Sequence, residues 1–194
     1  MTFGLDRGPY TVCRNCFLGR DLSGLAMDYT VKFFDLYPND RKFMKVRLIS
    51  AHEFTGENGW YMDVEIAKYL KQLEDKGHLE KTITLFYSDH GDHIDYFLYR
   101  TNSGAAEMVN PFFFALLPED FAKKVHDKVS VNQQRLLTHY EIFRSVVKYL
   151  GVEFERRVAP GPSIFYDIVK EARTCKDAQV AEDCHCKLVG EGQP

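Results

Sequence analysis

An Asp-His pair stands where it could bind a metal ion, because Asp89 and His90 directly follow an uncharged β-branched and aromatic run at 82–88. A carboxylate oxygen and a neutral imidazole nitrogen are both good ligands for Zn²⁺, Mn²⁺ and similar ions. On a regular strand the two side chains would point to opposite faces, but Gly91 permits a turn in which they converge. The alternative is an exposed loop with ordinary charged residues, and the pattern alone leaves both interpretations open.

A second candidate ligand, His52, follows an alternating run at 43–50 that is typical of a strand. Apolar residues at helical spacing predict a helix over 60–76, and the run at 82–88 predicts a strand buried on both faces. Strand, helix and strand in this order predict a βαβ unit with parallel strands. Because open α/β sheets bind ligands at the carboxyl edge of their strands, we expect His52 to lie close to Asp89 and His90.

The remaining elements follow from apolar periodicity and from the positions of Gly and Pro. The pattern predicts helices at 22–37, 138–150 and 163–173, a strand at 112–117, irregular loops at 1–20 and 89–111, and a Cys-rich tail at 174–194. The aromatic run at 112–114 is interpreted as a core strand buried on both faces. Together these elements predict an α/β fold with about three or four strands, fewer than the five or six of an average sheet.

Composition excludes several classes of function. The chain has 194 residues, of which 45% are hydrophobic and 14% aromatic, so it can build the core of one ordinary domain. A formal net charge of -3 gives no support for a nucleic-acid partner. No run is apolar enough to span a membrane, and residues 1–19 have no apolar segment typical of a signal peptide. Taken alone, these features predict a cytosolic chain.

The segment Ser88-Asp89-His90-Gly91, directly after a buried strand, resembles the metal-binding segment of the alkaline phosphatase superfamily, which includes sulfatases, phosphodiesterases and phosphoglycerol transferases. More narrowly, the chain resembles a sulfatase-like group named domain of unknown function 229. The resemblance covers most of residues 13–190. Its further carriers are Ala51-His52-Glu53, Asp63, Leu70, Leu73, Lys81-Thr82, Leu85, Gly104, Glu107, Pro111 to Pro118, Asn132, Leu136, Thr138, Ile142, and a tail with Arg173-Thr174-Cys175, Cys184 and Cys186.

The resemblance implies a layered α/β/α sandwich of alkaline phosphatase type, present as its C-terminal portion. It implies that Asp89 and His90 hold one or two divalent ions (Zn, Ca, Mn or Mg), with His52 as a further ligand or a donor to a substrate oxygen. The substrate would be a small sulfate or phosphate ester. This chain departs from the family at Asp92 or His93, where a basic residue is common, and at Ala106-Glu107-Met108, where paired acids are common.

In that superfamily the nucleophile and at least one acidic metal ligand come from the N-terminal half, which this chain lacks. No Cys-x-Pro-x-Arg sulfatase signature occurs, because Cys13 and Cys16 enclose Arg14 and Asn15 instead. We therefore expect a chain without catalytic residues of its own and without hydrolase activity alone. The resemblance also implies that the full protein is secreted, lumenal or membrane-anchored.

The five cysteines support an alternative. Cys13 and Cys16 with Cys184 and Cys186 could bind zinc, or the cysteines could form disulfides, and either would stabilise a non-catalytic binding domain derived from this fold. We expect disulfides in preference to zinc.

Other polar residues are given ordinary roles. Surface or packing positions are expected for His93, His126 and His139, and surface positions for Glu53 and Glu107, although both acids could support a metal site from behind its ligands. The oligomeric state is not predicted.

Overall fold

The computed structural model describes residues 16–53, 57–91, 101–152 and 161–180. Within these residues the protein is mixed α/β, with five helices and two small antiparallel sheets. The elements are β1 Cys16–Phe17, β2 Arg20–Asp21, α1 Leu22–Leu36, α2 Glu57–Asp75, β3 Thr84–Tyr87, α3 Asn102–Val109, β4 Phe113–Leu116, α4 Glu119–Asn132 and α5 His139–Tyr149. None of the described helices is long and apolar enough to cross a membrane.

Helices α1 and α2 pack against each other and confirm two of the predicted helices. Asp21 caps α1 by accepting a hydrogen bond from the Gly24 N–H at 2.8 Å. Gly24 lies against α2, since a Cβ built there would stand 2.6 Å from a carboxylate oxygen of Glu65. Helix α2 ends at Asp75, and Gly77, two residues later, has a φ of 68° that favours glycine.

The predicted strands at 82–88 and 112–117 are confirmed as β3 and β4, which pair with Thr84 opposite Leu116 and Tyr87 opposite Phe113. The pairing is antiparallel. The expectation that both strands are buried on both faces is wrong, because Phe112 is 57% exposed and Phe114 is 42% exposed. The Phe114 ring instead stacks on the Phe86 ring, with centroids 4.8 Å apart.

The prediction of a strand at 43–50 is wrong, and with it the parallel βαβ unit. Residues 41–49 have no regular secondary structure, and β3 pairs with β4 instead of with this segment. The alternating pattern misleads because Phe43, Val46 and Ile49 are exposed and so do not form one buried face. A strand also needs a hydrogen-bonded neighbour, and among the described residues this segment has none.

The loop predicted at 89–111 contains α3, and α4 follows β4 without having been predicted. Helix α3 is capped by Thr101, whose hydroxyl accepts from the Gly104 N–H at 2.9 Å. Helix α4 begins after Pro118, with Glu119 and Asp120 in its first turn, where acidic side chains favour the helix dipole. The short helix predicted at 163–173 is wrong, because these residues form turns.

A core lies between β3, β4, α4, α5 and residues 164–166. Its buried centre is Val125, Ile164 and Phe165, with Leu85, Phe113, Leu117, Phe121, Val129, Leu137, Ile142 and Tyr166 packed around it. Helix α5, predicted at 138–150, is confirmed and begins with a capping box between Thr138 and Glu141.

Polar side chains bind residues 161–180 to α4 and α5. The fully buried Asn132 amide donates to the carbonyl oxygens of Ile164 and Asp167, both at 2.8 Å, and accepts from the Val169 N–H at 2.9 Å. Arg173 contacts the buried Glu141 carboxylate at 2.8 Å. We call Asn132, Glu141 and Arg173 the buried polar cluster.

Candidate metal site

The four residues Ser88, Asp89, His90 and Gly91 form a turn after β3, called here the 88–91 turn. Ser88 ties it to Phe112: the Ser88 N–H donates to the Phe112 carbonyl, and the Ser88 hydroxyl accepts from the Phe112 N–H, both at 3.1 Å. The Ser88 carbonyl accepts from His139 Nε2 on α5 at 2.8 Å. The turn is thus fixed to β4 and to α5.

Gly91 fixes the other end of the turn against α3. Its N–H donates to the Met108 carbonyl at 2.9 Å, and a Cβ built on Gly91 would stand 2.0 Å from the Glu107 carbonyl oxygen. No other residue permits so close a backbone approach. Gly91 therefore permits the close packing of α3 as well as the turn that the sequence predicts.

The His90 ring is oriented by its own turn. Nδ1 donates to the Gly91 carbonyl at 2.6 Å. In a neutral imidazole this leaves the lone pair on Nε2, the tautomer and orientation common among histidines that bind metals. Nε2 lies 4.0 Å from Asp89 Oδ1, so the two predicted donor atoms face the same space.

The Asp89 carboxylate has different neighbours on its two oxygens. Oδ1 accepts from the His90 backbone N–H at 3.2 Å, and Oδ2 accepts from Arg47 Nη2 at 2.9 Å. Desolvation would raise the pKa of Asp89, but hydrogen bonds from backbone N–H groups, the charge that His90 carries when protonated and the Arg47 guanidinium together outweigh it and lower that pKa below its usual range. The carboxylate is therefore ionised at neutral pH, as a metal ligand must be.

The pair suits a divalent ion in chemistry and nearly in distance. Zinc–ligand bonds of about 2.0–2.2 Å at a tetrahedral angle require donor atoms about 3.4 Å apart. The observed 4.0 Å between His90 Nε2 and Asp89 Oδ1 would have to shorten by about 0.6 Å, which side-chain rotation of these exposed residues can supply.

Further ligands are not assembled within the described residues. In 16–53, 57–91, 101–152 and 161–180 no group of three or more His, Cys, Asp or Glu side chains could hold an ion. His52 lies in a turn in which its N–H donates to the Ile49 carbonyl at 3.0 Å, and its role as a ligand stays a prediction. Asp92 and His93 lie outside the described residues.

The structure assigns places to the other polar candidates. Glu53 is buried and accepts from the Asn58 N–H at 3.2 Å, so the expectation of a surface position is wrong; Glu107 is exposed, as expected. His126 is exposed on α4 beside Asp127. His139, expected to be a surface or packing residue, is exposed and also contacts the 88–91 turn. His139 directly follows the N-cap residue Thr138, and this position gave no signal of the contact with the turn.

Arg47 was missed as a site residue. Its place in the alternating run at 43–50 suggested only that it belongs to a strand. Its guanidinium nevertheless contacts the predicted metal ligand Asp89. A basic residue close to the end of the run that leads to His52 was the available signal.

The cysteines divide into two states. Cys16 has a free, exposed thiol, and Cys175 is disulfide-bonded. Cys13, Cys184 and Cys186, which the zinc alternative requires together with Cys16, lie outside the described residues.

Comparison with known families gives one match. Residues 7–190 match the family described as "Protein of unknown function (DUF229)". The chain belongs to this family. No curated protein and no solved structure matches the chain.

Proposed function

We propose that this DUF229 chain supplies the metal-binding turn of a sulfate- or phosphate-ester hydrolase or transferase of alkaline phosphatase type. The observation that carries the proposal is the 88–91 turn, in which Oδ1 of an ionised Asp89 and Nε2 of His90 lie 4.0 Å apart. Membership of the family agrees with the sulfatase-like resemblance of the segments around this turn.

In this proposal Asp89 Oδ1 and His90 Nε2 hold a divalent ion, and His52 is the candidate for a third ligand or for a donor to a substrate oxygen. A bound ion would polarise a sulfuryl or phosphoryl oxygen and favour attack on it. The Gly91 carbonyl orients the His90 ring, and His139 holds the Ser88 carbonyl, so the backbone of the turn is fixed and a small side-chain movement would bring the donor atoms to an ion.

The nucleophile is proposed to come from outside the described turn. Ser88 is the nearest hydroxyl in sequence, but its oxygen accepts a hydrogen bond from the Phe112 N–H and thereby fixes the turn to the residue before β4. Because the donor set and the nucleophile are both incomplete here, we expect the chain alone to leave aryl sulfates and aryl phosphates unhydrolysed.

The β3–β4 pair is proposed to belong to a larger layered α/β/α sandwich. The exposed Phe112 and Phe114 form an aromatic face on a sheet that has two strands within the described residues, and such a face is usually covered by further strands or helices. A secreted or lumenal location of the full protein is proposed as well, since the disulfide at Cys175 persists in oxidising compartments.

Metal content measured by elemental mass spectrometry tests the site. The wild-type chain, equilibrated with Zn²⁺ or Mn²⁺ and then desalted, is compared with Asp89→Ala/His90→Ala. The matched control is His126→Ala/Asp127→Ala, which removes an exposed neighbouring His and Asp from α4. We expect stoichiometric metal in the wild type and in the control, and loss of metal in the Asp89/His90 variant.

Two outcomes would contradict the proposal. Metal that persists in the Asp89/His90 variant would place the ion elsewhere, with the cysteines as the next candidates. No metal in any variant would favour the alternative that this chain is a non-catalytic binding domain derived from the same fold.

A further inference from the structure

Arg47 and the predicted metal position share one carboxylate without competing for the same oxygen. Arg47 Nη2 contacts Asp89 Oδ2 at 2.9 Å, while the His90 backbone N–H and His90 Nε2 lie on the side of Oδ1. An ion held by Oδ1 and Nε2 therefore leaves the Arg47 contact intact. The Asp89 carboxylate would then lie between the Arg47 guanidinium and such an ion.

The Arg47 guanidinium retains binding capacity in this position. Its side chain is 74% exposed, and Asp89 takes one of its several N–H donors. A guanidinium presents its donors as a planar fork that matches the oxygens of phosphate and similar anions. The Asp89 contact orients the fork, which lowers the entropy lost when an anion binds.

The surrounding segment favours an anion. Residues 41–49 carry Arg41, Lys42, Lys45 and Arg47 and no acidic residue. Lys42 is engaged, since its ammonium donates to the Asp40 carbonyl at 3.2 Å and lies over the Phe34 ring. Arg47 is the member of this basic group that an ion pair ties to the 88–91 turn.

We propose that Arg47 is the anion-binding residue of this site and receives the sulfuryl or phosphoryl oxygens of the ester. The inference rests on the proposed function, because it takes Asp89 and His90 as the metal ligands. It adds a residue that distinguishes a tetrahedral oxyanion from a neutral substrate. In the metal-free chain the negative charge of Asp89 partly neutralises Arg47, so anion binding should be weak until that charge is compensated.

Sulfate binding, measured by isothermal titration calorimetry at low ionic strength with and without Mn²⁺, tests the proposal. Four proteins are compared: the wild type, Arg47→Met, Lys45→Met and Asp89→Asn. Lys45→Met is the matched control, because it removes the same charge from an exposed position two residues away in the same segment.

We expect Arg47→Met to weaken sulfate binding about tenfold, because charge-assisted hydrogen bonds are lost. Lys45→Met should weaken it at most about twofold, since the charge of an exposed lysine acts on the anion through high-dielectric solvent. Without metal, Asp89→Asn should strengthen sulfate binding about two- to fivefold, because an exposed ion partner of the guanidinium is removed.

The outcomes separate this proposal from the metal site itself. Equal losses in Arg47→Met and Lys45→Met would reduce the effect to general charge and overturn the proposal. Unchanged binding in Arg47→Met, or no sulfate binding by the wild type even with Mn²⁺, would overturn it as well. Each of these can occur while the metal content still depends on Asp89 and His90, so the proposed function would survive them.

Discussion

The buried polar cluster and the 88–91 turn use the same kinds of side chain in opposite ways. In the buried polar cluster, Glu141 and Asn132 are fully buried and their polar atoms face fixed partners in the same chain. In the 88–91 turn, Asp89 and His90 are exposed, with Arg47 and neighbouring backbone among their partners.

The difference distinguishes polar contacts that stabilise the fold from polar contacts that could exchange for a ligand. A buried charge must keep its partner, because leaving it alone costs far more than the pair contributes. An exposed pair such as Arg47–Asp89 contributes little to stability and can exchange partners at little cost. The strongest polar contacts of this chain therefore indicate where it is held together, and the weaker exposed ones indicate where a ligand can enter.

The largest expected effect lies in the buried polar cluster. Glu141→Ala removes the partner of Arg173, whose side chain is 8% exposed, together with the carboxylate that accepts from the Thr138 N–H at 2.6 Å. We expect the free energy of unfolding to fall by about 3–5 kcal/mol, because a buried cation is left without its partner. Urea denaturation followed by circular dichroism measures it.

The control for this prediction is Glu119→Ala, which breaks an exposed ion pair with Lys123 on α4. It should change the free energy of unfolding by less than about 1 kcal/mol. Similar losses in the free energy of unfolding in the two variants would show that the burial of Glu141 does not increase its contribution. The contrast between the two regions would then be wrong.

A middle-sized effect is expected at Gly91, where the 88–91 turn meets α3. Gly91→Ala places a Cβ on the Glu107 carbonyl oxygen, and a backbone atom cannot rotate away. We expect a loss of about 1–3 kcal/mol in the free energy of unfolding, as for other overpacked positions. The displaced turn should also weaken Mn²⁺ binding by about tenfold, because the Gly91 carbonyl that orients the His90 ring would move.

Gly59→Ala is the matched control, since Gly59 has nothing within 4 Å of a built Cβ and lies in α2. It should stabilise the chain by up to about 1 kcal/mol through helix propensity and leave Mn²⁺ affinity unchanged. If Gly91→Ala bound Mn²⁺ with wild-type affinity, the position of the 88–91 turn would not determine metal binding, and this prediction would be wrong.

The sequence predicted single elements better than their arrangement. Capping residues and apolar periodicity act locally, so α1, α2 and α5 could be predicted closely, and Gly77 could be assigned to the end of α2. The parallel strand at 43–50 could not be judged in this way, because a strand depends on a neighbour distant in sequence.

The same limit applied to the candidate site. Asp89, His90 and Gly91 are adjacent in sequence, so the proximity of the two donor side chains and the turn could be predicted from residue types alone, while metal binding stays a prediction. The contacts of Arg47 and His139 with this turn join residues 42 and 51 positions apart, and local sequence does not specify such distant partners.

The smallest expected effect concerns Asp167, which lies between the two regions in exposure, with a side chain 39% exposed. Its carboxylate accepts from the Ser163 N–H at 2.9 Å and pairs with Lys148 at 3.0 Å. Desolvation would raise the pKa of Asp167, but the Ser163 hydrogen bond and the Lys148 charge outweigh it and lower that pKa. The folded state therefore favours the ionised carboxylate.

A lowered folded-state pKa means that this contribution is present above the unfolded pKa of about 3.9 and is lost as pH falls through the folded value. We expect Asp167→Asn to reduce the free energy of unfolding by less than about 1 kcal/mol at neutral pH, after allowance for solvent screening. The difference from wild type should shrink as the pH of urea denaturation is lowered towards about 3. A difference that stays constant with pH would assign the effect to lost packing, and Asp167 would then resemble the buried polar cluster more than the exposed turn.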